Sequence, residues 1–121
     1  MRARDWFTNE SDASVAFCRI TQMALLRLLT NPHAMRASAR TVGQAWEIFT
    51  SLRQDRRVVF TPDEERVDAI WRNWMTQPGI GPSSWTDAYL AALAQTRSNS
   101  LVTFDAGFKR WPDLNLTLLF P

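Results

Sequence analysis

Residues 85–105 constrain the fold more than any other stretch. Trp85-Thr86-Asp87-Ala88-Tyr89-Leu90-Ala91-Ala92-Leu93-Ala94 reads as a helix with an acid in its opening turn. Ser100-Leu101-Val102-Thr103-Phe104-Asp105 reads as a short buried strand that ends in an acid. Only a polar turn, Gln95 to Asn99, separates them. A helix passing so directly into a strand, with a carboxylate at one end of each, is a way to bring two acids to one rim of an α/β sheet.

The rest of the chain supports that class. Arg2 to Thr8 has the character of the last turns of a helix, and Asn9-Glu10-Ser11-Asp12 is a turn. Val15–Ile20 has strand composition, after which Thr21 can cap a helix reaching Leu29, with Met23, Leu26 and Leu29 on its apolar face. Asn31-Pro32 stops that helix and leaves His33 in a loop. Thr41-Val42-Gly43-Gln44 has the form of a capping box, and Val42, Ala45, Trp46, Phe49 and Leu52 follow at a helical period as the buried face. Val58-Val59-Phe60 is a short buried strand. The next helix is expected from about Asp63 to Met75, with Asp63, Glu64 and Glu65 complementing its dipole and Val67, Ile70, Trp71, Trp74 and Met75 inward. Gln77 to Ser83 is a Pro/Gly-rich loop, Ala106 to Arg110 a short helical piece, and Leu114 to Phe120 a closing strand. Four strands interleaved with helices predict a mostly parallel sheet flanked by helices, in one domain spanning residues 1–121.

Charge and cysteine content narrow the partners. The formal net charge of +2 permits an anionic partner such as RNA without requiring one. Cys18 is the only cysteine, so no intramolecular disulfide forms, which fits a reducing, cytoplasmic setting. The residue reads as a small buried hydrophobe. No apolar run approaches the ~18 residues of a membrane span. There is no Cys/His cluster for zinc, no Gly-rich phosphate loop and no Gly-x-Ser-x-Gly elbow. Six tryptophans should anchor the core.

Each acid has a structural explanation. Ser84-Trp85-Thr86-Asp87 fits Ser-x-x-acid, so Asp87 can close a capping arrangement, and Asp105 stands where an N-cap aspartate would. Together they support a further role. Both lie where a strand's carboxyl end meets a helix's amino end, and paired carboxylates suit Mg²⁺ or Mn²⁺ and phosphate substrates.

Three blocks, in order, carry a resemblance: Phe17-Cys18-Arg19-Ile20-Thr21-Gln22 with Leu25-Leu26-Arg27-Leu28-Leu29-Thr30, then Thr86 to Ala94, then Leu101-Val102-Thr103-Phe104-Asp105 with Phe108. In these the chain resembles the PIN-domain ribonuclease toxins of type II toxin–antitoxin systems, the VapC-like group. The resemblance implies a three-layer fold, with helices on both sides of a mostly parallel sheet. It implies an acidic site that binds Mg²⁺ or Mn²⁺ and cuts RNA, with a cognate antitoxin and a homodimer as partners. It places Asp87 and Asp105 in that site as metal ligands, and Thr103 beside it. Gln22 stands where the family usually has an acid and is the third site residue expected. Arg19, Arg27, Thr103 and Lys109 are the candidates for contact with RNA, with Arg110 a further candidate for phosphate contact.

The family begins with a strand ending in Asp-x-Asn, whose Asp is a metal ligand. Here the chain starts at Arg2-Ala3-Arg4-Asp5-Trp6-Phe7, inside the helix that follows, so the expectation is a fold that lacks its first, central strand through an incomplete start or degradation. Two carboxylates and an amide predict weak or absent catalysis. The alternative function is an inactive module that binds antitoxin or dimerises, or a degraded remnant.

Overall fold

A computed structural model describes residues 1–121. Two compact units are present, one of residues 10–63 and one of residues 1–9 together with 64–121. Each holds one two-stranded parallel ladder packed with helices.

In the unit of residues 10–63, β1 (Val15–Phe17) pairs in parallel with β2 (Val58–Phe60), in the register Val15 to Val58 and Phe17 to Phe60. The strand expected to run to Ile20 stops at Phe17, and the helix α2 (Arg19–Leu29) starts sooner than expected. The reason is local. The hydroxyl of Thr21 accepts the backbone N–H of Cys18 at 2.9 Å, so Cys18 is the N-cap and Thr21 lies inside the first turn rather than capping it. Cys18 itself is buried, as expected of a small hydrophobe. Asn31 does not only end α2. Its side chain accepts the N–H of His33 at 2.9 Å and caps a one-turn helix, α3 (Pro32–Met35), so His33 is helical and exposed rather than in a loop.

The helix α4 (Val42–Gln54) opens with the predicted capping box. Gln44 N–H donates to the Thr41 hydroxyl at 3.1 Å, and Thr41 N–H donates to Gln44 Oε1 at 2.9 Å. Ala45 and Phe49 are its buried residues, and the Phe49 ring meets Phe17 edge-to-face at 5.8 Å. Val42 and Trp46 do not join this core. They are 68% and 49% exposed, because the buried stripe of α4 is narrower than its apolar periodicity. Met23 on α2 is likewise exposed, and the buried residue of that helix is Gln22.

The second unit begins with α1 (Ala3–Thr8) and continues from Glu64. The helix α5 (Val67–Met75) starts later than expected. Glu64 is not in its first turn; it pairs with Arg97 at 3.3 Å and also with Arg66, and the chain turns at residues 65–66 before the helix begins. The helix α6 (Trp85–Thr96) packs against α5. The contact is close because Ala88, Ala91 and Ala92 are fully buried, as is Val67 opposite. Full burial of a side chain such as Val67 stabilises by about 1.5–3 kcal/mol. Trp74 of α5 stacks on Trp111 with ring centroids 5.5 Å apart, and both are buried. Of the six tryptophans these two anchor the core, while Trp46 and Trp85 are about half exposed.

β3 (Leu101–Thr103) pairs in parallel with β4 (Leu116–Leu118), in the register Leu101 to Leu116. The parallel pairing expected from alternating strands and helices is therefore present. It is divided between two ladders of three-residue strands, so the sheet is smaller than expected. No helix is long and apolar enough to cross a membrane.

Candidate functional site

The site is built from the end of β3 upward. Thr103 closes that strand, and its hydroxyl accepts the backbone N–H of Asp105 at 3.1 Å. This bond fixes the bend that turns Asp105 out of the strand direction. Asp105 then caps the 3-10 turn Ala106–Arg110, its Oδ1 accepting the Gly107 N–H at 2.8 Å. Gly107 suits that arrangement because a Cβ at this position would sit 3.0 Å from Asp105 Oδ1. Asp105 is exposed. The capping role expected for it is present and occupies one carboxylate oxygen.

Asp87 differs. It lies half-buried in the first turn of α6. The Ser-x-x-acid capping arrangement is not formed, since the Ser84 side chain caps nothing. Its Oγ instead accepts a hydrogen bond at 2.8 Å from Nη2 of Arg110, the last residue of the Asp105 turn. Ser84 is buried, and the Arg110 guanidinium also lies over the Trp111 ring at 4.6 Å. One long-range bond thus ties the turn preceding Asp87 to the turn following Asp105. The Asp87 carboxylate is left without a hydrogen-bond or ion-pair partner, oriented by its helix alone.

The donor set is two carboxylates on elements of one unit, α6 and the segment leaving β3, which pack together. No group of three His, Cys, Asp or Glu side chains is gathered into a metal cage. Mg²⁺ is commonly bound by one or two carboxylates together with water and substrate phosphate. Asp87 and Asp105 fit that pattern, because both are oxygen donors and Asp105 retains a second oxygen beyond its cap.

The other expected site residues are placed as follows. Gln22 belongs to the unit of residues 10–63, is buried, and its Oε1 accepts a hydrogen bond from Arg19 Nη1 at 2.6 Å. Its oxygen is therefore already directed at a cation, the guanidinium. Thr103 orients the Asp105 backbone, as above. Lys109 is exposed on the turn after Asp105. Arg27 is exposed in the last turn of α2, where a cation complements the helix dipole. Arg110 serves Ser84 and Trp111 rather than standing free. Sequence reasoning missed this pairing of Arg110 with Ser84, and nothing in a spacing of 26 residues signals it.

Comparison with known proteins adds a second line. A family model described as the PIN domain matches residues 1–114. The chain is similar to Ribonuclease VapC41 of Mycobacterium tuberculosis (strain ATCC 25618 / H37Rv), with 36% identity over 122 residues, covering 97% of this chain and 84% of the relative. It is 32% identical over 111 residues to Ribonuclease VapC38 of the same strain, covering 88% of this chain and 72% of the relative. Ribonuclease VapC29 of that strain is 30% identical over 105 residues, with coverage of 87% and 71%.

Proposed function

This chain belongs to the PIN-domain family and is a homologue of the VapC ribonucleases, and from that premise we propose that it is a metal-dependent endoribonuclease of a type II toxin–antitoxin module. Its substrate is RNA, its protein partner is a cognate antitoxin, and it acts in the cytoplasm as a homodimer with the three-layer architecture of the family, residues 1–121 forming one domain. The single observation that carries the reading is the pair Asp87 and Asp105. They are acids on packed elements of one unit, and the carboxylate of Asp87 is engaged by no other side chain.

Asp87 and Asp105 are the residues that would hold Mg²⁺ or Mn²⁺. When bound, such an ion activates a water and offsets charge on the phosphate. The protein's own part is orientation. Gly107 N–H holds Asp105 Oδ1 and leaves Oδ2 without a hydrogen-bond partner, while Thr103 keeps the Asp105 backbone in its bend. Arg110 holds the α6 start through Ser84, so that Asp87 keeps its place relative to Asp105. Lys109, exposed on the turn that Asp105 caps, adds positive charge for the RNA backbone.

The test is incubation of the purified chain with labelled structured RNA in Mg²⁺ or Mn²⁺, with EDTA as the control. Metal-dependent fragments that vanish in Asp87→Asn support the reading. No fragments at any metal concentration oppose it.

A second reading is a non-catalytic module that binds antitoxin or a second copy. The lack of a third acid in the site favours it, as do the exposed Val42 and Trp46 on α4. Antitoxin binding without cleavage separates this reading from the first.

A further inference from the structure

We propose that Arg19, Arg53 and Phe60 form a phosphate-holding subsite for the backbone of single-stranded RNA. The inference rests on the ribonuclease reading above and assigns a part of the substrate surface that reading leaves open.

The three residues lie in the unit of residues 10–63. Phe60 ends β2, and Arg19 stands two residues past the end of β1. These strands are parallel, so both residues sit at the carboxyl-end rim, where α/β folds bind ligands. Arg53 reaches the same ring from the last turn of α4. Both guanidinium carbons lie 5.0 Å from the Phe60 ring centroid. Two cations therefore share one aromatic ring and lie within twice that distance of each other. The ring quadrupole attracts each of them, while their mutual repulsion is left for a bound anion to relieve.

Neither guanidinium is in an ion pair. Arg57 shows the contrast. Its Nε and Nη2 donate to the two oxygens of Asp55 at 2.9 and 2.7 Å, which neutralises it. At Arg19 the acceptor is the amide oxygen of Gln22, which orients the guanidinium without cancelling its charge. One N–H of the Arg19 fork is used there, and the remaining donors stay open. A planar fork of donors matches a phosphate bidentately. Because the guanidiniums cover the Phe60 ring, that ring is not free to stack a base. The subsite therefore holds backbone phosphate and reads no sequence. The position of Arg53 at the end of α4 accounts for a positive charge there, but not for its seat on the ring that Arg19 also occupies.

The test is equilibrium binding of a fluorescein-labelled single-stranded RNA oligonucleotide to the full chain in EDTA, across a series of salt concentrations. Arg19→Gln and Arg53→Gln are each expected to weaken binding and to shallow the slope of log K against log salt by about 0.7, and the double variant by about 1.4. Arg53→Lys keeps the charge and is expected to keep the slope. The Arg53 side chain makes no hydrogen bond or ion pair and gives up only its contact with the Phe60 ring, so Arg53→Gln should stay folded, its melting temperature by circular dichroism lowered by a few degrees at most, and carries the test even if Arg19→Gln is poorly folded. An unchanged slope in folded Arg53→Gln, with the wild type binding RNA, overturns the subsite and leaves the ribonuclease reading in place. Retained RNA binding with lost binding to a polyglutamate peptide also overturns it, and assigns the surface to an acidic protein. A wild-type chain that neither binds nor cleaves RNA overturns both.

Discussion

Arg110 donates from Nη2 to the hydroxyl of Ser84 at 2.8 Å, and through that bond the turn that follows Asp105 is fastened to the turn that precedes Asp87. Ser84 is 2% exposed, whereas Arg110 is on the surface. The two ends of the bond are therefore unequal. Arg110→Ala strands a buried hydroxyl and is expected to cost about 1–3 kcal/mol, while Ser84→Ala leaves a guanidinium that water can solvate and should cost about 1 kcal/mol or less. Urea unfolding of both variants measures the difference. Equal losses would show that the hydroxyl finds another partner.

Asp87 takes part in no cap, so its charge should matter to chemistry and not to folding. Asp87→Asn is expected to melt within a degree or two of the wild type. Its metal-dependent RNA cleavage should fall by at least about the 10–100-fold that loss of a supporting partner costs at metal sites. Thermal melting and gel-based cleavage, run on the same preparation, check this. A large drop in melting temperature would show that Asp87 is structural.

Asp105 has both roles, and two substitutions divide them. Asparagine caps about as well as aspartate, so Asp105→Asn should keep the fold and lose cleavage. Asp105→Ala should lose cleavage and also about 0.5–2 kcal/mol of stability. Isothermal titration with Mn²⁺ should show weakened binding for both. Equal stability of the two variants would mean that the bond from Gly107 contributes nothing.

The Asp55–Arg57 pair makes stability depend on pH in the acid range. Hydrogen bonds from the Arg57 side chain, and then from its backbone N–H, lower the Asp55 carboxyl from 3.8 to about 2. A carboxyl that is more acidic in the folded chain contributes stability that is present above 3.8 and lost as the pH falls through about 2. Asp55→Asn should be less stable at neutral pH and should lose less between pH 4 and pH 2, when urea midpoints are compared across that range. Parallel acid limbs in variant and wild type would show that the pair does not set this dependence.

Much of the architecture was legible in the residues, for local reasons. The capping box of Thr41 and Gln44, the cap of Asp105 and the strands at Val58–Phe60 and Leu101–Thr103 depend on bonds and periodicities spanning a few residues, which sequence spacing records. The start of α2 differs from expectation although its signal is local, because the Thr21 hydroxyl serves the N–H of Cys18 three residues earlier rather than capping a helix that follows it.

Thus the sequence by itself determined that helices and strands alternate, that the strands pair in parallel, and that Asp87 and Asp105 stand at helix starts. Tertiary structure alone decided which atoms remain free. It gave the Ser84 hydroxyl to Arg110 and so released Asp87 from a cap, turned the Gln22 oxygen toward Arg19, and seated Arg19 and Arg53 on Phe60. It also left Val42 and Trp46 outside the core despite their helical spacing. The physical reason is range. A cap or a strand is settled by neighbours along the chain, whereas a side chain's free donors and acceptors depend on which distant groups packing brings within hydrogen-bond distance.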